Sequence, residues 1–271
     1  MIAHVRKRLV HRSSSYPASH QRKPTADEEA RRALRRIGVA TDRFHDIVRT
    51  RRLARPILNR MCFEEYFKPE IYDVHMRRTG HFRALEEALT TFREYINNSL
   101  LDVSTGTGEA LLFLASFLNQ HAISVMANDF TPAMIAEARK KLEGKIQNIQ
   151  FAIHDIRRLP PDLRAQTVLC SQSVHDLPNP KKRVVESIVK ATLPGGHIIS
   201  LEEWPCNVTY SRHLTPEIQI LLNMSETPID MKRLRAMFVE TYGLLLVEDG
   251  TFKIDNKHLL YGTVYKKPEQ T

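Results

Sequence analysis

Three aspartates stand at positions where their carboxylates could bind one polar ligand together. Asp102, Asp129 and Asp155 each follow a short apolar run that is typical of a β-strand. A carboxylate after the second strand can accept hydrogen bonds from both hydroxyls of a ribose. One after the third strand can accept from the exocyclic amine of adenine, while the neighbouring Ile156 packs on the ring. The three positions together predict a nucleoside-binding edge.

A glycine-containing turn, residues 103–108, directly follows Asp102. Glycine lets a ligand approach the backbone closely, and the N-terminus of the following helix offers free N–H groups to an anion. A dinucleotide fingerprint requires a third glycine after Gly106 and Gly108, and none stands at residues 109–111. A nicotinamide oxidoreductase is therefore disfavoured. Taken alone, the turn is also compatible with a purely structural connection.

An alternation of strands and helices must position these residues. Short runs rich in Val, Ile and Leu predict strands at 99–103, 122–127, 149–153, 166–171, 196–202, 244–248 and 258–264. Amphipathic segments predict helices at 108–119, 132–143, 180–192 and 230–242. The pattern indicates an α/β fold of the Rossmann-like, doubly wound type, with a seven-stranded, mostly parallel sheet. Ligands bind at the carboxyl ends of the strands in such sheets.

The N-terminal fifth of the chain carries the excess positive charge. Residues 1–60 hold 16 Lys and Arg against 5 Asp and Glu, a net +11, whereas the whole protein has a net charge of +9. We predict a disordered basic tail at 1–24, a helical extension and cap at 25–98, and the main domain at 99–271. The expected compartment is the cytoplasm, or the mitochondrion if the acid-free start is a transit peptide.

Composition and cysteine spacing exclude several classes. No apolar run approaches the roughly 20 residues that a membrane-spanning helix needs. Cys62, Cys170 and Cys206 are too far apart for a disulfide framework or a CxxC zinc site, and we expect reduced thiols. We find no convincing cluster of metal ligands and predict no metal. The sequence does not predict the oligomeric state.

Five segments, in order along the chain, resemble motifs of the class I S-adenosylmethionine-dependent methyltransferases. Residues 101–108 resemble motif I, and residues 128–135 resemble the acidic segment that follows the second strand. The later segments 154–160, 171–180 and 193–199 are similar to the family's "GDAxxLP", "SxxALHHLPDP" and "LKPGGxLVI". The resemblance covers about residues 60–264 and is strongest to the ubiquinone/menaquinone-type small-molecule methyltransferases.

The resemblance implies S-adenosyl-L-methionine as the cofactor, a small organic molecule as the methyl acceptor, and an N-terminal cap over the cofactor. It implies the following cofactor-binding residues: Tyr72, Asp102, Ser104, Thr105, Gly106, Gly108, Asp129, Phe130, Met134, Asp155, Ile156 and Ser171. His175 is the candidate general base, ahead of Asp176, His154 and Glu203. Two positions depart from the pattern, because Ser104 replaces the first glycine of motif I and Asp176 replaces a second histidine.

Two other functions stay open. An RNA or protein methyltransferase could use the basic N-terminal region as a docking arm, with binding that weakens steeply as salt rises. A methyltransferase-like domain could also serve as a binding or assembly module without turnover, and Ser104 is the feature that favours this alternative. The amphipathic segment 203–229 occupies the position where the family inserts its substrate lid.

Overall fold

The computed structural model describes residues 68–174, 181–204 and 230–269. The predicted basic tail, the first helical segments, His175, Asp176 and most of the predicted lid lie outside the described residues. Within the described residues, no helix has the length and apolar character needed to cross a bilayer.

Seven strands form one sheet, and helices lie along the chain between them. The strands are β1 Ser99–Asp102, β2 Ser124–Asn128, β3 Ile149–Ala152, β4 Ala165–Ser171, β5 Thr192–Trp204, β6 Leu245–Lys253 and β7 Leu259–Lys266. The helices are α1 Pro69–Thr79, α2 His81–Phe92, α3 Glu109–Gln120, α4 Pro132–Leu142, α5 Lys182–Ala191 and α6 Met231–Ala236. Short 3₁₀ turns follow at Arg93–Tyr95 and Ile156–Arg158, and a π-helical turn, Met237–Thr241, continues α6.

The order of the strands places a ligand crevice beside β1. The sheet runs β3-β2-β1-β4-β5-β7-β6, with parallel pairing from β3 through β5 and antiparallel pairing on both sides of β7. From β1 the chain continues to β2 and then β3 on one side of β1. It then crosses back to form β4 on the other side of β1. This reversal is the topological switch point at which α/β sheets bind ligands, outside the carboxyl ends of β1 and β4. The predicted seven-stranded, mostly parallel Rossmann-like sheet is confirmed.

Two hydrophobic layers cover the sheet, as expected for strands that read as nearly continuous apolar runs. One layer brings α2, α3 and α4 onto β1 and β2, through side chains such as Phe92, Leu111 and Leu142. The other brings α5 and the α6 region onto β4, β5 and β7, through side chains such as Ile188 and Phe238. Because α2 shares its layer with β1, the predicted boundary between residues 98 and 99 divides elements that fold around one core.

The ends of the predicted elements differ from the structure mainly where tertiary pairing extends a strand. We predicted β5 from residue 196, whereas it begins at Thr192. The added residues pair with β4, since Thr192 lies in register with Ala165. Similarly, β6 extends to Lys253 because it pairs along its length with β7. The predicted helix 230–242 is shorter, ending as a regular α-helix at Ala236.

Candidate functional site

The turn after β1 is the centre of the candidate site. Thr105 N donates to the carbonyl of Asn128 at the end of β2, at 2.8 Å, and Gly108 N donates to Thr105 O at 2.9 Å. These bonds close the turn against its neighbouring strand. Gly106 has φ +53°, and a Cβ placed there would meet no heavy atom within 4 Å. The space beside Gly106 is therefore a cradle where a ligand could contact the backbone.

The second glycine of the turn has a different role. Gly108 has φ +86°, and a Cβ there would lie 2.9 Å from Leu142 Cδ1 and 3.2 Å from Ala138. Gly108 is thus the position where α3 and α4 approach each other closely, directly before α3 begins. Its lack of a side chain serves helix packing, and its predicted contact with the cofactor stays a prediction.

Asp102 is a buried carboxylate with an unused oxygen. Its side chain is fully buried, and Oδ1 accepts a 3.2 Å hydrogen bond from Ser104 N. In the part of the chain that the structure describes, Oδ2 has no hydrogen-bond partner. Burial raises the pKa of Asp102 to about 7, although hydrogen bonds from Ser104 and Thr105 oppose the rise. Such a group is suited to a cationic or hydrogen-bonding ligand that can compensate its charge.

Asp129 joins the end of β2 to the glycine turn. Its Oδ2 accepts from Gly106 N at 3.0 Å, and its Oδ1 accepts from Thr131 N at 2.8 Å. Burial raises the pKa of Asp129, while the backbone N–H groups of Thr131 and Gly106 lower it. Each carboxylate oxygen has further lone pairs, so the two backbone bonds leave capacity for ribose hydroxyls. The predicted role on the ribose stays a prediction.

Asn128 holds three strand ends together, and sequence reasoning did not select it. Its buried amide donates to Val103 O at 3.0 Å and to His154 O at 3.1 Å. Its Oδ1 accepts from His154 N at 2.9 Å. The only signal in the sequence was an amide beside Asp129 at the end of an apolar strand. Asn128 therefore positions the turn after β1 and the segment that carries Asp155.

Asp155 is paired within its own turn. Arg157 donates to both oxygens from its side chain, with Nε at 2.9 Å from each, and its backbone N donates to Oδ1. Burial acts in the opposite direction, but the bonds from Arg157 are sufficient to lower the pKa of Asp155. Arg157 was not selected from the sequence, and a base amine would share Asp155 with this guanidinium. The adjacent Ile156 is buried, as an apolar wall requires.

The remaining cofactor-binding predictions lie around the same edge. Phe130, just before α4, is half-buried, and Met134 is buried on the first turn of α4. Ser104 Oγ donates to Ser171 O at 3.3 Å, which ties the end of β1 to the end of β4. The serine that replaces a motif glycine thus has a partner on the neighbouring strand. Tyr72, on α1, is half-buried and its ring lies edge-on to Phe82, with centroids 6.4 Å apart.

The candidate bases are only partly described. His175 and Asp176 lie outside the described residues. His154 is tied to Asn128 through its backbone, whereas Glu203, near the end of β5, has Oε2 at 3.1 Å from His81 Nε2. No group of three or more potential metal ligands occurs among the described residues.

The helix α1 is attached to the glycine turn by polar contacts. Thr107 Oγ1 donates to Asp73 Oδ1 at 2.5 Å, and Lys141 of α4 donates to the other oxygen of Asp73. Glu109, the first residue of α3, accepts from Arg77 at 3.0 Å and from Lys141 at 3.1 Å. Asp73 therefore lies against the turn after β1.

Comparison with known proteins assigns this architecture to a class. Residues 100–196 match the family model described as a methyltransferase domain, which includes the turn and all three aspartates. A demethylmenaquinone methyltransferase of Deinococcus radiodurans is 29% identical over 133 residues, covering 46% of this chain and 54% of that protein. The chain thus matches about half the length of this relative.

Solved structures agree on the fold. A methyltransferase of Aquifex aeolicus superposes with a TM-score of 0.53 at 15% identity, covering 74% of this chain and 98% of that one. The [4+2]-cyclase SpnF superposes with a TM-score of 0.52 at 15% identity, covering 70% and 82%. Residues 100–196 thus match a methyltransferase domain within a class I-type fold, and the chain is similar over about half its length to a quinone-type methyltransferase.

The site's own chemistry fits the cofactor of this class. S-adenosylmethionine carries a ribose, an adenine, a carboxylate and an ammonium. The open face of Gly106 admits a ligand to the backbone, and the unpartnered oxygen of Asp102 matches a cationic group. The carboxylates of Asp129 and Asp155 stand at the two following strand ends, within the same edge.

Proposed function

We propose that this protein transfers a methyl group from S-adenosylmethionine to a small organic acceptor. The observation that carries the proposal is the turn at the β1/β4 switch point, where the open Gly106 is fixed by Asp129 beside the buried, partly unpaired Asp102. A purely structural turn would not need a buried carboxylate with an unused oxygen, because an unsatisfied buried charge is costly.

The chain's residues would hold the cofactor by its two ends. Asp129 would accept from the ribose hydroxyls, and Asp155 with Ile156 would bind the adenine. Asp102 would face the ammonium of the amino-acid end, whose positive charge would compensate the buried carboxylate. The N–H groups at the start of α3 would favour the carboxylate of that end.

The chemistry requires alignment more than activation. S-adenosylmethionine supplies a methyl group on a sulfonium, so the protein must hold the nucleophile in line with it and exclude water. We propose that α1, attached to the turn through Asp73, forms part of the cover. If the acceptor is a hydroxyl or phenol, His175 would take its proton, which typically contributes about 10²–10⁴-fold to the rate.

The acceptor class follows from the similarity to quinone-type enzymes and is part of the proposal. The Deinococcus radiodurans relative is named a demethylmenaquinone methyltransferase. A hydroquinone ring such as 1,4-dihydroxynaphthalene is therefore the first acceptor to test, and it offers both oxygen and carbon nucleophiles. Product analysis by mass spectrometry would show which atom receives the methyl group.

Cofactor binding is the decisive first experiment. Calorimetry and thermal unfolding with S-adenosylmethionine, S-adenosylhomocysteine and NAD should show the two adenosyl ligands binding and NAD without effect. At 100 times its dissociation constant a ligand stabilises the native state by about 2.7 kcal/mol, which is readily measured. If neither adenosyl ligand binds, the methyltransferase proposal is wrong. If NAD binds as well as they do, the site is a general nucleoside site.

The charge of residues 1–60 favours a second candidate, a methyltransferase that docks on RNA or an acidic protein. Neutralising several phosphates would make RNA affinity fall by orders of magnitude between 50 and 200 mM salt. Tight, salt-sensitive RNA binding by the full chain, lost on removing residues 1–60, would favour this candidate. Weak binding that does not respond to salt would remove it.

A third candidate is a domain of this fold without methyl transfer, since SpnF carries the fold and is named a [4+2]-cyclase. Binding of S-adenosylhomocysteine with no methylation of any acceptor tested, in wild type and in Ser104→Gly, would favour it.

For the compartment, we keep the expectation of the cytoplasm, with the mitochondrion as the alternative if residues 1–24 act as a transit peptide. Microscopy of a C-terminal fusion would decide between them.

A further inference from the structure

A four-charge cluster joins α1, the glycine turn and α4. It consists of Asp73 and Arg77 on α1, Glu109 at the start of α3, and Lys141 near the end of α4. Lys141 stands at its centre, because its Nζ donates both to Asp73 and, at 3.1 Å, to Glu109. We call this set the clasp.

Burial makes Lys141 the principal cation of the clasp. The side chain of Glu109 is 6% exposed, and those of Asp73 and Lys141 are each 17% exposed. Arg77, the other cation, is 66% exposed, so solvent weakens its pairing with Glu109. Of the contacts of this cluster, loss of Lys141 would leave Glu109 with the solvated guanidinium of Arg77 and Asp73 with the hydroxyl of Thr107.

The position of these carboxylates matters for an anionic ligand. Glu109 is the first residue of α3, and Asp73 accepts from Thr107 within the turn that opens this helix. The N-terminus of a helix attracts anions through its free N–H groups and its dipole. Two uncompensated carboxylates beside it would cancel this attraction and repel the carboxylate of an amino-acid group.

We propose that Lys141 is a positioning residue that lets the start of α3 receive the carboxylate end of the cofactor. It does so by neutralising Asp73 and Glu109, one carboxylate from α1 and one from the start of α3. This inference rests on the proposed function, since it concerns how the same site accepts S-adenosylmethionine. Lys141 itself contacts side chains of the clasp, so it acts through them.

The test compares two ligands that differ only in the carboxylate. S-adenosylhomocysteine and its decarboxylated analogue, 5′-deoxy-5′-(3-aminopropylthio)adenosine, are titrated by calorimetry into wild type and Lys141→Met. We expect Lys141→Met to weaken S-adenosylhomocysteine by about tenfold or more, as for loss of a charge-assisted interaction. We expect the affinity for the decarboxylated analogue to stay within about twofold. The methionine keeps the length and apolar stem of the lysine, which protects the packing.

The neighbouring lysine provides a matched control. Lys140 lies on the same helix and pairs with Glu137 at 3.0 Å, but its side chain is 75% exposed. Lys140→Met removes the same charge from α4 without touching the clasp. It should leave both affinities unchanged.

A second variant separates charge from scaffolding. Asp73→Asn added to Lys141→Met removes one of the stranded carboxylates, while the amide oxygen can still accept from Thr107. We expect the double variant to bind S-adenosylhomocysteine more tightly than Lys141→Met alone. A lysine that serves only to hold α1 in place would give the opposite order, because the double variant has lost more of the contact.

Each outcome either supports or overturns the role proposed for Lys141. Equal losses for both ligands in Lys141→Met, no loss for either, or no recovery in the double variant would overturn the inference while leaving cofactor binding by wild type intact. If wild type binds no S-adenosylhomocysteine, the proposed function itself fails and this inference with it. If the single variant does not fold, or the analogue binds too weakly to measure in wild type, the comparison of the double variant with wild type decides, with near-normal S-adenosylhomocysteine affinity expected.

Discussion

Replacing Asp102 with asparagine should make the ligand-free protein more stable at neutral pH. The amide is nearly isosteric, and its oxygen can keep the hydrogen bond from Ser104 N that Oδ1 accepts at 3.2 Å. Its NH₂ group replaces Oδ2, the buried oxygen without a partner among the described residues. The substitution therefore removes the titration of a buried acid with little change in shape.

The magnitude follows from the pKa. Burial raises the pKa of Asp102 from an ordinary value of 3.8 to about 7 in the folded protein. At pH values between these two pKa values, Asp102 holds a proton in the native state that it has released in the unfolded state. Its contribution to the free energy of unfolding of the wild type therefore falls as pH rises from about 4 to 7. At 1.36 kcal/mol per pH unit this loss reaches about 4 kcal/mol above pH 7. Asp102→Asn does not lose this stability, because asparagine has no proton to release.

Urea unfolding of both proteins between pH 4.5 and 8 measures this difference. We expect the advantage of Asp102→Asn to be small near pH 4.5, to grow up to about pH 7 and to level off toward pH 8, since the other titrating groups cancel in the comparison. S-adenosylhomocysteine should narrow the advantage, because its ammonium would compensate the carboxylate only in wild type. A difference in stability that does not change with pH would refute the reasoning.

Three further results are expected. Asp129→Ala should weaken S-adenosylhomocysteine by about 1.5–3 kcal/mol in calorimetry with the fold retained by circular dichroism, and an unchanged dissociation constant would remove Asp129 from the site. Gly106→Val should abolish binding because its side chain fills the cradle. Gly108→Ala should mainly lower the free energy of unfolding, by about 1–3 kcal/mol, through strain at φ +86° and contact with α4. The reverse ranking would contradict these roles. A chain starting near Pro24 should bind S-adenosylhomocysteine normally, while one starting near Leu100 should not fold, because it lacks α2 of the core; a folded shorter chain with normal binding would exclude a cap.

The sheet could be predicted because local patterns and tertiary burial agree along most of the chain. Buried parallel strands read as short apolar runs, and each is followed by an amphipathic helix. The predictions erred where pairing partners decide the length of a strand. The early start of β5 depends on the pairing of Thr192 with Ala165 of β4, and the length of β6 depends on its pairing with β7. Such partners are not encoded in the local pattern.

The aspartates of the site could be predicted for a similar reason, because each one ends a strand and parallel strands end at one edge. The contacts of these aspartates could not. Asp155 is shared with Arg157, two residues away, and Asn128 connects three strand ends through its amide. Neither the residue type nor the spacing of Arg157 and Asn128 marks them in the sequence as partners of the site. Only the turn geometry at the ends of β2 and β3 turns them into neighbours of the site.

The acids near the glycine turn show how position determines what a buried charge can do. Glu109 is nearly as buried as Asp102, yet it has two cationic partners from α1 and α4. The carboxylate of Asp102 accepts a backbone hydrogen bond from Ser104 N, and its other oxygen has no partner within the described residues. Leaving that oxygen unpaired costs stability, whereas the ion pairs of Glu109 offset part of the cost of burying it. A protein that neutralises one carboxylate and leaves the other unpaired beside its ligand crevice gains affinity for a cation there, so Asp102→Asn should exchange cofactor affinity for stability.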